Sequence, residues 1–308
     1  MAIPLRAGVH SVVATPFLPD ESLDLASIDT LVDACVRAGC DGLLVLGVLG
    51  EADRLSDAER DRVVDRFLAK AGGELQITVG ITHPATVVTR ERALAAARVG
   101  ATAVMVSPPA GSVAGPALRE HFRRVADGLD CTFVVQDYPA SSGVKLPVDF
   151  LASLAADLPP GSVVKLEDPP TAAKIAAVRQ ATDAYQTFGG LGGVSLLYEL
   201  HAGSAGTMTG FALPELLVAI VRAWQAGDAD TARRVFEAAL PLMVFEAQPG
   251  AGVALRKEIL RRRGAIAHGT VRQPAPRADA TLLAALEPLL AEAGQILSAA
   301  DRRVGVGG

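Results

Sequence analysis

Lys165 follows Val163 and Val164 directly in the stretch SVVKLEDPP, so a cationic side chain ends a run that otherwise reads as buried. A lysine is almost never fully buried without a partner or a task. One task suits it: burial lowers the ammonium pKa, and the free amine attacks a carbonyl carbon to form a Schiff base. At the ordinary lysine pKa roughly 0.04% of the amine is free at pH 7, so a depression of about two to three units raises the reactive fraction by orders of magnitude. The competing reading is an ion pair with Glu167 or Asp168 that serves structure alone. Glu167 lies two residues beyond the lysine, on the same face of an extended strand, where it can tune the amine or shuttle a proton.

A second polar tip lies in FVVQDYPASSG, residues 133–143. Gln136 has no useful pKa, so it can orient a hydroxyl or a water but cannot act as a base. Asp137 either meets substrate or supports the turn, and strand alternation turns Tyr138 away, toward packing or an interface. In VLGVLGEADRLS the Gly-rich turn at Val48, Leu49 and Gly50 offers backbone N–H groups to a carboxylate, with Glu51 closing it. Thr209 and Gly210, in AGTMTG, are placed to meet a carboxylate or polyol, and His83 in GITHPA reads as a loop or helix-cap residue. The proposed catalytic set is Lys165, Gln136 and Glu167. The proposed substrate set is Val48, Leu49, Gly50, Asp137, Thr209 and Gly210.

The elements that must position these residues are short apolar runs at 11–14, 42–46, 76–80, 103–106, 132–135, 162–165, 185–188 and 205–208. They are continuous and do not alternate, as strands of a parallel sheet buried on both faces do. Helical patterns lie between them. One spans 25–38 before Gly39; another opens on Ser56 with Glu59 completing a capping box and stops at Gly72. Two more cover 86–99 and 115–127. Eight strand–helix units in about 230 residues give an α/β fold, a (β/α)8 TIM barrel with its active site at the strand C-termini. A doubly wound sheet is the rival, but ATPFLPDES after the first strand is no phosphate-binding turn. Residues 1–225 read as the barrel. Residues 226–308 read as a C-terminal helical extension packed on it, with helices at 229–245, 251–262 and 280–299.

The chain has 308 residues, half of them hydrophobic but only 4% aromatic, and a net charge of −5. Acidic and basic residues interleave, so no nucleic-acid face is expected, and the LRRRG cluster near Arg261 suits a helix C-terminus. Three cysteines without a CxxC pair fit a reducing cytoplasm. No signal core and no uninterrupted apolar run long enough to span a bilayer is apparent. Neither a metal site nor a cofactor is expected.

From about Gly8 to Arg263 the chain resembles the dihydrodipicolinate synthase / N-acetylneuraminate lyase family of Schiff-base aldolases and dehydratases. The resemblance is carried by VVATPF, GVLGE, QDYPASSG, VVKLED and AGTMTG. It implies a barrel with a C-terminal helical extension, Lys165 as the Schiff-base lysine, a small 2-oxo acid as substrate and a homo-oligomer, commonly a tetramer. Val48 and Leu49 stand where the family has substrate-binding hydroxyls, and Gln136 where it has a catalytic tyrosine. Ser141 replaces an arginine, and Pro109 and Ala110 replace tyrosines. A Thr–Tyr–Tyr proton relay therefore cannot run here. VVQDYPASSG, VVKLEDPPTAAKI and LHAGSAGTMTG are most similar to the branch containing 2-dehydro-3-deoxy-L-arabonate dehydratase. That implies dehydration of a 2-oxo-3-deoxy sugar acid. A pyruvate-dependent aldolase and a non-catalytic sugar-acid-binding barrel are the alternatives.

Overall fold

The computed structural model describes residues 3–304. Its strands are β1 (Gly8–Val12), β2 (Gly42–Val45), β3 (Gln76–Gly80), β4 (Ala103–Val106), β5 (Thr132–Asp137), β6 (Val163–Leu166), β7 (Gln186–Phe188) and β8 (Gly206–Thr209). All pair in parallel, in the order β7-β6-β5-β4-β3-β2-β1-β8. A bridge between Gly189 and Thr207 closes the ring: Met208 N–H donates to Gly189 O at 3.0 Å and Gly189 N–H to Gly206 O at 3.2 Å. The fold is the TIM barrel expected from the sequence.

Alternation along each strand explains why the runs read as continuously apolar. Val12, Leu44, Met105, Val134, Val163 and Phe188 fill the barrel interior. Their neighbours Leu43, Val45, Val104, Val135, Val164 and Leu166 pack outward beneath the helices. The same alternation turns Gln136 and Lys165, two residues beyond Val134 and Val163, inward at the strand C-termini. The β5–β6 register sets them directly side by side.

The helices are α1 (Leu25–Ala38), α2 (Asp57–Ala71), α3 (Thr86–Arg98), α4 (Pro116–Ala126), α5 (Pro139–Ser142), α6 (Val148–Leu154), α7 (Thr171–Ala181), α8 (Leu196–His201), α9 (Pro214–Gln225), α10 (Ala229–Glu246), α11 (Gly252–Arg262) and α12 (Ala280–Val304). The capping box read at Ser56 and Glu59 is present at the start of α2, a feature worth about 1 kcal/mol. Strand β1 begins three residues earlier than its apolar run, because pairing with β8 starts at Gly8. Strand β5 runs two residues further, through Gln136 and Asp137.

Among the C-terminal helices α10 packs along α9, and α12 lies against α10 and α9 and buries Leu286 and Ala293. By length and composition alone, Ala280–Leu297 would suffice to cross a membrane. The sequence reading missed it because Glu287 and Glu292 interrupt the run, and Glu287 accepts from Arg262 at 2.5 Å. The arginine cluster is occupied by carboxylates: Arg261 and Arg262 bond Glu258, and Arg263 bonds Glu215.

Candidate active site

At the C-terminal ends of the strands lies a cavity of about 280 Å³. Val12, Leu44 and Met105 line its apolar floor, and Lys165, Glu167 and Gln136 form its polar wall. Glu167 stays on the lysine's face because its N–H donates to Asp137 O at 2.8 Å, extending the β5–β6 ladder past β6. Lys165 Nζ lies 3.0 Å from Glu167 Oε2. Gln136 Nε2 donates to the same oxygen at 2.7 Å, while Ser107 Oγ donates to Gln136 Oε1 at 2.7 Å. The other carboxylate oxygen of Glu167 accepts from Leu191 N–H at 3.1 Å. These contacts fix Gln136 in one amide orientation and hold Glu167 against the amine.

The ion-pair partner that sequence left open is thus Glu167. Asp168 turns instead to Lys174 and Lys145. The pair sits in a cavity wall, where an amine and an adjacent carboxylate can exchange a proton with a bound carbonyl compound.

Gly189 and Gly190, just past β7, make room for protein carboxylates. A Cβ on Gly190 would collide with Glu167, and one on Gly189 with Glu199. Glu199 is fully buried, accepts from Thr171 Oγ1 at 2.6 Å and has no partner for Oε2 among the described residues. Burial pushes its carboxyl up to about 7; the Thr171 hydrogen bond opposes this and the charge of Glu167 adds to it. The folded protein therefore holds a proton that the unfolded chain releases above about pH 4.5, and stability falls as pH rises from there to about 7. Glu199→Gln is expected to remove that slope. It should gain about 3 kcal/mol over the parent above pH 7, read from urea unfolding of both proteins at pH 5 and pH 8.

The remaining candidates divide. Val48, Leu49, Thr209 and Gly210 line the cavity. Val48 is 56% exposed and forms an open rim, whereas Leu49 is buried. Their N–H groups have no hydrogen-bond partner among the described residues. Thr209 Oγ1 accepts from Gly192 N–H at 2.7 Å, which leaves its own proton to donate.

Asp137 is not brought to the cavity. Alternation sends it outward, where Lys174 Nζ meets it at 2.5 Å and Leu146 N–H donates to it at 3.2 Å. Gly50 does not line the cavity either; its carbonyl accepts from Thr15 Oγ1 at 2.7 Å. Glu51 lies behind the turn, bonded to Lys257, and His83 Nδ1 accepts from Ala85 N–H ahead of α3.

Tyr138 reverses its expectation and lines the cavity. The strand ends at Asp137 and the chain turns into α5 at Pro139, so alternation no longer applies. Burial raises its phenol, Glu167 adds to the rise and Arg256 opposes it. Arg256 on α11 also lines the cavity, as do Leu191 and Gly192. Ser107 had a sequence signal, its place directly after the fourth apolar run. Arg256, in the helical tail, had none.

The family model described as the dihydrodipicolinate synthetase family matches residues 6–293. L-2-keto-3-deoxyarabonate dehydratase of Azospirillum brasilense is 34% identical over 89% of this chain and 90% of its own length. 4-Hydroxy-tetrahydrodipicolinate synthase 1 of Streptomyces coelicolor is 33% identical over 92% and 94%. Among solved structures, dihydrodipicolinate synthase from Rhodopseudomonas palustris superposes with a TM-score of 0.89 at 32% identity, covering 95% of this chain and 99% of the other. Because the matched residues include all eight strands together with Lys165 and Glu167, this chain belongs to the dihydrodipicolinate synthetase family.

Proposed function

We propose that the protein is a Schiff-base-forming dehydratase acting on a 2-oxo-3-deoxy sugar acid, with Lys165 as nucleophile. The observation that carries this reading is the Lys165 amine 3.0 Å from Glu167 in the wall of a strand-end cavity. The 34% identity to the Azospirillum keto-deoxyarabonate dehydratase supports the choice among 2-oxo acid reactions.

The steps balance as follows. Lys165 Nζ adds to C2, and the carbonyl oxygen leaves as water to give an iminium. The iminium acidifies C3, and Glu167 takes a C3 proton. The enamine then expels the C4 hydroxyl, to which Glu167 returns the proton, so a second water departs. With a pentonate, loss of a C5 proton and protonation at C3 give an enol, whose hydroxyl proton is then lost as C4 gains one, leaving the aldehyde. Water then hydrolyses the iminium, freeing the lysine, for a net loss of one water. Gln136 orients Glu167 and takes no proton itself. Val48 and Leu49 N–H groups and the Thr209 hydroxyl are proposed to meet the substrate carboxylate.

Aldol cleavage is the second reading, favoured by the 33% identity to a 4-hydroxy-tetrahydrodipicolinate synthase. The same iminium permits C3–C4 cleavage if a base faces the C4 hydroxyl. A homo-oligomer in the cytoplasm belongs to the same proposal: the three free, buried cysteines support a reducing compartment, and the family relationship supports the assembly.

Borohydride reduction in the presence of pyruvate or 2-oxo-3-deoxypentonate is expected to leave a stable mass adduct on Lys165. Absence of any adduct across a panel of 2-oxo acids would sink the Schiff-base reading. Unreduced 2-oxo-3-deoxypentonate should yield 2-oxoglutarate semialdehyde. Pyruvate with an aldehyde would assign the aldolase instead.

A further inference from the structure

Arg256 reaches the cavity from α11, yet the mechanism above gives it no role. Its Nε donates to Glu246 Oε1 at 2.7 Å, and the side chain is only 15% exposed. Glu246 is fully buried and is itself fixed by Ala212 N–H at 3.1 Å. One edge of the guanidinium is thereby anchored. Nη1 and Nη2 have no hydrogen-bond partner among the described residues.

Two glycines border this group. A Cβ on Gly192 would lie 3.4 Å from Nη2, and one on Gly252 would lie 3.2 Å from Nη1. Arg256 shares the cavity lining with Tyr138, Leu191, Ala247 and Val253. A half-buried guanidinium with two undirected N–H groups over apolar neighbours is a receptor for an oxyanion, preferably a planar one taken bidentately.

We propose that Arg256 is a specificity-determining residue that binds a terminal carboxylate on the end of the substrate remote from its 2-oxo group. The inference rests on the reading of Lys165 and of the 48–49 turn given above, which already occupy the 2-oxo and C1 carboxylate groups. Its consequence, which narrows the proposed sugar acids to favour members with a second terminal carboxylate over the pentonate, is a preference for 2-oxo diacids of five or six carbons over monoacids of equal length.

The test is titration calorimetry of the full chain with 2-oxoglutarate and 2-oxoadipate against 2-oxovalerate and 2-oxohexanoate. Binding is measured for the parent, Arg256→Met and Arg256→Lys. The parent is expected to bind the diacids about 10- to 100-fold more tightly, the worth of one charge-assisted fork. Arg256→Met should erase that preference while leaving monoacid binding within about twofold. Arg256→Lys keeps a charge beside Glu246, so it serves if the methionine variant fails to fold, and should lose most of the preference because a lysine presents no fork.

Equal affinity of the parent for diacids and monoacids, or a preference that survives both substitutions, would overturn the proposal. Calorimetry registers binding with or without covalent chemistry. A lack of borohydride adducts together with an Arg256-dependent diacid preference would therefore refute the Schiff-base reading and leave this one standing. Adducts on Lys165 with no diacid preference would do the reverse.

Discussion

Lys165→Arg is expected to lose at least about 10³-fold in kcat/KM, with the loss in kcat, and to give no borohydride adduct with any 2-oxo acid. Arginine is the informative replacement because it preserves what the lysine does for the fold. The pair with Glu167 joins two buried side chains, 5% and 7% exposed, and removing the cation outright would leave the carboxylate facing Gln136 and one backbone N–H. Such an uncompensated charge costs about 3–5 kcal/mol, enough to confuse loss of chemistry with loss of structure. A guanidinium keeps the pair but stays protonated at every usable pH, so it cannot add to a carbonyl carbon.

Thermal unfolding separates the outcomes. A variant within a few degrees of the parent that retains more than about 1% of kcat/KM would remove Lys165 from the chemistry. The pair would then be the structural ion pair that the sequence also allowed. Matched stability with activity gone is the expected result.

Much of the barrel was legible because its strands are buried on both faces, so Val163–Val164 or Phe133–Val135 announce themselves without context. Boundaries were less legible, since pairing rather than hydrophobicity ends a strand: Gln136 and Asp137 are polar yet remain in the ladder. The wall of Lys165, Gln136 and Glu167 followed from alternation plus the rule that barrel sites lie at strand C-termini.

Tyr138 was misplaced by the same alternation, because Pro139 ends the strand one residue later. Arg256 was invisible for a different reason. Its position depends on α10 supplying Glu246, a contact that no local pattern encodes. Glu199 belongs to the same class. Its environment comes from Thr171 and from Glu167 across two glycines, each on a different element.

The second large effect is on stability and concerns the pair behind the turn that bears Val48 and Leu49. Lys257→Met is expected to lower stability by about 3–5 kcal/mol, or about 10 °C in Tm for a chain of this size. Lys257 and Glu51 are both fully inaccessible and lie 2.5 Å apart. The ammonium also donates to Thr270 O at 2.8 Å and stands over the Phe17 ring at 4.2 Å, while Glu51 accepts from Arg272 N–H at 2.9 Å.

Burial pulls the lysine down to about 8, Arg272 and Arg54 add to the fall and Glu51 opposes it, so in this setting the pair does not offset the cost of burying the ammonium. That imbalance predicts an asymmetry. Removing the lysine leaves buried Glu51 with only Arg54 at 3.4 Å and the Arg272 N–H, whereas removing both removes the desolvation cost with it. The double variant Glu51→Gln/Lys257→Met is therefore expected to recover at least half of the deficit, read from urea unfolding of the parent, both single variants and the double. Strictly additive losses would show that the two side chains act independently and would overturn the expected coupling.

Recovery would assign the pair a positioning role. It ties the turn bearing Val48 and Leu49 to α11, whose next residue back from Lys257 is Arg256. In the double variant, restored stability should then accompany a raised KM with kcat little changed, because the two ends of the cavity lose their common anchor while Lys165 and Glu167 keep theirs.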